Sequence, residues 1–503
     1  MPRFKHTDYN QIKMIPVDFK TQLSPGTFEH ALDYLIEEEL DLSIFNHRYK
    51  NDATGATAYD PKVLLKIVLA AYSRGVTTSR QIEQLCRENI IFMALSCDSQ
   101  PHFTTIADFV SKLHGEIETI FADVLVLCDS MGLIGRQMFA IDGCKISSNA
   151  SKEWSGTRKK FEKKKAKMER EIHRILKKHR DEDDQGSPSS DQREREEQKL
   201  ETMKRKVRKY KEWLDENPDK KGTRNNIIQS NITDNDSAKL KTVQGYSGIA
   251  VGDQKYQVVL SAEVIGSVDE RPSVEPMVHQ TRANLPKEDP FKTAKLGADS
   301  GFCSEDTLKF LFESEIDAYV ADQNFRKRDE RFKEADRYYP KERTKLKTAG
   351  KFTPKDFHVN PETLVCTCPA GKRMWLKSRN PKTHGRPVIH YQAYVDDCKR
   401  CSYRKRCWRR EDQPTPRQFA WFQTNLPEDQ KYTKRMQRKI DTEEGKHEYS
   451  KRLGIIEPVF ANITRTIGLN RFSLRGKKKV SVQWKLFCLV HNIGKLQRYG
   501  FAR

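Results

Sequence analysis

The sequence predicts a mixed α/β protein with four parts. These are an N-terminal all-helical domain (1–135), a sheet-bearing core (136–323 and 426–503), a helical-hairpin insertion (152–218) and a Cys-rich insertion (324–425). Three observations carry that prediction. Apolar residues recur at helical spacing through the first part. Two short apolar segments, Phe139-Ala140-Ile141 and Lys295-Leu296-Gly297-Ala298, read as strands, and each runs into an Asp closely followed by glycine. Two very polar stretches interrupt the core, and the second holds five of the eleven cysteines.

Taken in order, Phe28–Leu40 places Phe28, Ala31, Leu32, Leu35 and Ile36 on one helical face. A loop follows at 51–59. Pro61–Tyr72 is a helix with Asp60 as N-cap and Pro61 at its first position. Thr78–Cys86, Phe103–Leu113 and Ile117–Met131 complete the helical part. Met138–Ile141 is a strand ending in a turn at Asp142-Gly143. Lys159–His179 and Gln192–Leu214 are helix formers with sparse apolar residues near heptad spacing, separated by a breaker at Asp181–Asp191, and they predict an antiparallel hairpin. Tyr246–Ala250 and Tyr256–Ile265 pair as a β-hairpin, Ala294–Ala298 and Asp317–Ala321 are strands, and Ser304–Ser314 is a helix. The region 324–425 reads as irregular. Glu428 to about Thr466 is a charged helical tract broken near Gly454, and Val480–Tyr499 is a final amphipathic helix.

Composition narrows the function. The 503 residues carry 92 Lys+Arg against 70 Asp+Glu, a net charge of +22, with 36% hydrophobic residues. Such a chain is neither collagenous nor mucin-like nor simply disordered. No apolar run reaches the ~18 residues of a membrane span. The first residues have no apolar signal region, so a cytosolic protein is expected. The basic residues come in blocks, at Arg158–Arg180, Arg326–Lys355 and Tyr403–Arg410, mixed with aromatics. That pattern points to a polyanion, nucleic acid first, rather than to a uniformly solvated surface. An odd number of cysteines in a reducing compartment argues against a disulfide framework.

Two features carry chemistry. Asp142 and Asp299 each follow a core strand, where carboxylates are well placed to hold Mg²⁺, a hard cation that takes oxygen ligands. Two such ions about 4 Å apart serve phosphodiester chemistry. In the Cys-rich stretch, Cys368 is followed by Cys398-x2-Cys401-x5-Cys407. A Cys-x2-Cys knuckle with two distant thiolates suits one tetrahedral, structural Zn²⁺. Cys366 is then the spare thiol, and an iron–sulfur cluster is the lesser alternative.

Nearly the whole chain resembles the DDE transposases of bacterial insertion sequences. The resemblance rests on Pro101-His102-Phe103-Thr104-Thr105-Ile106, with His102 where the family has Asp, and on Ile141-Asp142-Gly143-x-Lys145-Ile146-x-Ser148-Asn149-Ala150. It continues in Thr233-Asp234-x-Asp236-Ser237, Ala298-Asp299-Ser300-Gly301-Phe302 and His491-Asn492-Ile493-x-Lys495-Leu496. The third acid matches Glu457 in Glu457-Pro458-Val459-Phe460. Tyr449-x2-Arg452 resembles the supporting Tyr and Arg of some relatives, although Glu457 falls one residue late, and Glu448 is the runner-up. Because the residue before a proline avoids helical geometry, a helix start or kink is expected at Glu457.

The resemblance implies an RNase H-like core and an N-terminal domain that binds the element's terminal inverted repeats. It further implies Asp142, Asp299 and Glu457 holding two Mg²⁺ or Mn²⁺ ions for DNA cleavage and strand transfer. Double-stranded DNA, at the element ends and the target, is then the partner, with a homodimer or larger assembly on it, in the bacterial cytosol at the nucleoid. Two other readings stay open: a metal-dependent nuclease without strand transfer, and an inactive, domesticated DNA-binding protein.

Overall fold

Local signals set the helical part. In the computed structural model, which describes residues 17–49, 51, 57–185, 190–222, 227–240, 243–332, 350–383, 386–408, 415–422 and 431–501, the helices begin at their capping residues. Thr27 caps α1 (Phe28–Tyr34) by accepting from His30 N at 3.2 Å. Asp60 caps α2 (Pro61–Ser73), accepting from Lys62 N at 2.8 Å, with Pro61 at its first position. There follow α3 (Ser79–Glu88), α4 (Ile90–Leu95), α5 (Phe103–Lys112) and α6 (Glu116–Ser130). His102 caps α5 through its imidazole, the job a shorter Asp performs elsewhere. The short α4 leaves no mark in the sequence pattern; six residues are too few to show a period.

Among the described residues six strands form the main sheet: β1 (Met138–Ser147), β2 (Ala238–Leu240), β3 (Val243–Asp253), β4 (Val259–Ile265), β5 (Lys295–Ala298) and β6 (Ala318–Val320). Their order is β2-β3-β1-β5-β6, with β4 also on β3. β3 pairs antiparallel with β1, β2 and β4, while β1–β5 and β5–β6 are parallel. One expectation is corrected here. β1 does not end at Asp142-Gly143 but runs on to Ser147, because β3 pairs with it along Phe139–Ser147. Only its other edge ends there, since pairing with β5 stops at Ile141↔Ala298.

The hairpin stands as two long helices, α7 (Arg158–Gln185) and α8 (Ser190–Glu216). The expected breaker at Asp181–Asp191 is shorter than its bounds: α7 continues to Gln185, α8 begins at Ser190, and 186–189 lie outside the described residues. Phe161, Tyr210, Trp213 and Leu214 form a small core at the hairpin's base.

Beyond β6, the stretch read as irregular contains a second sheet. Its strands are β7 (His358–Val359), β8 (Cys366–Thr367), β9 (Arg373–Thr383), β10 (Arg386–Gln392) and β11 (Gln418–Phe422), in the order β11-β10-β9-β8-β7. Two strands have only two residues, and the β9–β10 register shifts twice, so no clean alternation marks them. Among the described residues none of these strands joins the main sheet. The loop expected at 51–59 and the basic stretch 326–355 lie partly outside the described residues.

After α9 (Val274–Asn284) and α10 (Glu305–Glu313), the chain closes with α11 (Tyr432–Ile440), α12 (Glu443–Ala461) and α13 (Lys477–Lys495). The helical tract breaks at Asp441-Thr442, where Thr442 caps α12 by accepting from Gly445 N at 3.0 Å, and not at Gly454. α12 also runs straight through Pro458. Pro458 lacks the N–H that would bond Gly454 O, and the helix continues past that missing bond. α13 is buried from Val480 to Ile493. Trp484 lies over Gly248, where a Cβ would meet its ring at 2.8 Å, and donates to Ile249 O at 3.0 Å. Asn492 bonds both N and O of Val259, at 2.8 Å each, as a strand would. No helix among the described residues is long and apolar enough to cross a membrane.

Candidate active site

The parallel register brings the two aspartates together. Ile141 pairs with Ala298, so Asp142 and Asp299 are the next residues on neighbouring strands. Asp299 begins the turn after β5, in which Phe302 N donates to Asp299 O at 3.1 Å. Asp142 is mid-strand on its β3 side and accepts from Gly143 N at 2.7 Å. Its other oxygen holds Arg452 Nη1 of α12 at 2.5 Å, with side-chain exposures of 20% and 6%. Burial lifts the Asp142 carboxyl above its usual range, the charge of Asp299 adds to this, and Arg452 pulls it back.

Arg452 arrives because α12 lies across the sheet, burying Glu448, Arg452, Ile455, Ile456 and Val459. A Cβ on Gly297 of β5 would meet Arg452 Cβ at 3.2 Å, so glycine there lets the helix lie close. Tyr449, one turn before Arg452, packs edge-on against Phe325 and feels the charge of Asp299. Burial raises its phenol above the ordinary range.

The two candidate glutamates stand elsewhere. Glu448 is buried at the start of β5, paired with Lys295 at 3.5 Å and Lys451 at 2.8 Å, away from Asp299 at the strand's other end. Glu457 is helical and exposed, turned about 140° around α12 from Arg452 at 100° per residue. A different carboxylate, Glu270, is nearer: its Oε2 lies 3.3 Å, and Asp299 Oδ1 2.8 Å, from the place a Cβ on Gly301 would take. No motif or periodicity marks Glu270 in the sequence. Among the described residues no three His, Cys, Asp or Glu side chains stand in metal-holding geometry.

In the second sheet region, Cys368, Cys398, Cys401 and Cys407 line one small cavity with Trp408 and Arg417. Burial, reinforced by the three other thiols, pushes Cys407 up to about 11. Cys366 lies apart, buried 3.7 Å from Met374 Sδ.

A family model described as a transposase DDE domain matches residues 367–497, and one described as a transposase domain (DUF772) matches 17–112. Asp142 and Asp299 lie between the two matches, and Glu457 lies inside the first. No curated protein and no solved structure matches the chain. A transposase domain is thus matched toward each end of the chain, and the two matches together support a DDE transposase of an insertion sequence.

Proposed function

We propose that this transposase binds the terminal inverted repeats of its element, cleaves the ends and joins the freed 3′-OH to target DNA. The main sheet is then an RNase H-like core, and α1–α6 supply the repeat-binding domain. The observation that carries the reading is the side-by-side placement of Asp142 and Asp299 on parallel strands, under a helix from the matched DDE domain.

The donor set fits a divalent cation: two hard carboxylates, with the glycine turn at Gly301 leaving a cradle beside Asp299 that a Cβ would fill. Asp142, Asp299 and Glu457 would hold a Mg²⁺ or Mn²⁺ pair, which would supply Lewis-acid help to phosphodiester cleavage and transfer. In cleavage, water oxygen bonds to phosphorus, its proton passes to solvent and the 3′ oxygen leaves as a 3′-OH; in transfer, that 3′-OH bonds to the phosphorus of a target phosphodiester and the target's own 3′ oxygen leaves as a new 3′-OH. Arg452 orients Asp142. For Glu457 to join the pair, α12 must turn or shift when DNA binds. Cutting two ends together calls for a dimer or larger assembly on DNA. The thiols of Cys368, Cys398, Cys401 and Cys407 form a closed set for one structural Zn²⁺.

Asp142→Asn and Asp299→Asn are expected to lower metal-dependent cleavage at least ~100-fold while leaving DNA binding nearly intact. Cleavage at the wild-type rate in either variant defeats the assignment. If Glu457→Gln stays active and Glu448→Gln does not, the third acid is Glu448. The exposed position of Glu457 favours a second reading, a silent DNA-binding protein. Supplying a pre-cut end with a free 3′-OH separates the three cases: joined product marks a transposase, cleavage alone a nuclease, and neither a silent binder.

A further inference from the structure

Glu270 sits on the link between β4 and α9, in Val268-Asp269-Glu270-Arg271. Its Oε1 accepts from Ser247 Oγ of β3 at 2.6 Å, which fixes the carboxylate and leaves Oε2 unbonded among the described residues. Two glycines admit it. A Cβ on Gly143, the residue after Asp142, would lie 2.7 Å from Glu270 Oε1. A Cβ on Gly301, two residues after Asp299, would lie 3.3 Å from Glu270 Oε2 and 2.8 Å from Asp299 Oδ1, so the two carboxylates stand within about 6 Å of each other. Neither glycine has a positive φ. Backbone conformation therefore does not demand glycine at 143 or 301; at 143 a Cβ would also meet Ser247 Oγ and Ile249 Cδ1 at 2.8 Å, and at 301 it would crowd the two carboxylates, so glycine lets these side chains stand where they do.

Resting on the reading of Asp142 and Asp299 as a cation site, we infer that Glu270 is a further carboxylate of that site, facing a divalent ion held at Asp299. Oxygen ligands at ~2.1 Å from ions ~4 Å apart span the separation seen here. Like charges brought this close from separate elements are costly unless a cation lies between them. Arg452 gives its carboxylate hydrogen bond to Asp142 and attracts Asp299 through space, but among the described residues it makes no bond to Glu270. Glu270 and Ser247 thus hold from β3 and β4 what Asp142 and Asp299 hold from β1 and β5.

The test is Mn²⁺ binding to the full chain by titration calorimetry, without DNA. Glu270→Gln keeps the shape and the bond from Ser247. It is expected to weaken Mn²⁺ binding by ~10-fold or more, and to move metal-dependent cleavage of plasmid DNA carrying the gene and its flanks to higher Mg²⁺. Thermal stability without metal is expected to stay at the wild-type value. Asp299→Asn is the control. If it weakens Mn²⁺ binding and Glu270→Gln does not, the inference about Glu270 is overturned and the aspartates stand. If neither weakens binding, the cation site itself is wrong. Should Glu270→Gln fail to fold, Glu270→Asp, which withdraws the oxygens by one methylene, is expected to show the same loss of Mn²⁺ affinity, and wild-type affinity in it also overturns the inference.

Discussion

Burying an imidazole without its proton stores a pH dependence. His491 is fully enclosed on α13, its Nε2 donating to Gln257 O at 2.8 Å and its Nδ1 accepting from Asn462 Nδ2 at 2.9 Å. Burial, together with Lys495 and Arg498, depresses it to about 4 from 6.5. Between those values the unfolded chain binds a proton that the folded one refuses. The stabilising term is therefore complete above about pH 6.5 and fades as pH falls toward 4, by ~3 kcal/mol at most. Thermal melts from pH 7 to 4.5 are expected to show wild type losing more stability than His491→Gln; parallel losses refute this. The motif His491-Asn492 is legible in the sequence, but its job is not. Both side chains bond the backbone of the β3–β4 hairpin, a long-range match that no local pattern encodes. Pro458 misleads for a related reason: the rule against helix before proline is local, and tertiary burial of Ile455, Ile456 and Val459 overrides it.

Elements with strong periods are legible in the sequence, and those built from fragments are not. α2 and α8 appear close to their expected bounds, and α7 and α13 are recognised with shifted ends, because their apolar residues recur over several turns. The second sheet escapes such a reading, although it has its own apolar centre: Phe357, Met374, Ile389, Tyr391, Trp408 and Phe419 are buried, with Phe357 and Phe419 stacked at 4.9 Å. That centre is small, and the thiol cavity lies at its margin. Purified without chelator, the protein is expected to carry about one Zn²⁺ per chain by elemental analysis. Cys401→Ser should release it and open 350–422 to protease, while the main sheet stays folded and Cys366→Ser does little. Less than about a tenth of an equivalent of zinc, with no iron, refutes the site. Equal metal loss in Cys366→Ser means that a different set of thiols holds the ion.

Across the whole molecule the charge is unevenly paired. Toward the hairpin's tip, Lys178, His179, Arg193 and Lys199 are tied to Glu196, Asp183 and Glu171. Near its base, Lys159, Lys160, Lys163 and Lys167 on α7 and Lys204, Arg205, Arg208 and Lys211 on α8 are exposed, with no ion pair among the described residues. DNA binding that neutralises ~6–10 phosphates should weaken ~10³–10⁵-fold between about 50 and 200 mM salt. Replacing the four α7 lysines by Ala should flatten the log–log slope by about one unit for each phosphate no longer neutralised. A slope already flat in wild type refutes a DNA role for the +22 charge.

The placement of α13 also dictates an order of events during synthesis. Tyr72 of α2 meets Phe487 with ring centroids 5.0 Å apart, across some 400 intervening residues. One apolar cluster runs unbroken from Leu32 through the main sheet to Leu496. While the ribosome is still translating the hairpin or the second sheet, the helices before β1 have no partner for that face. They must wait, partly assembled and sticky, until residues 477–495 emerge. Fragments ending before α13 should therefore need chaperones or aggregate, and the N-terminal helices are less an independent module than the first half of a joint closed last.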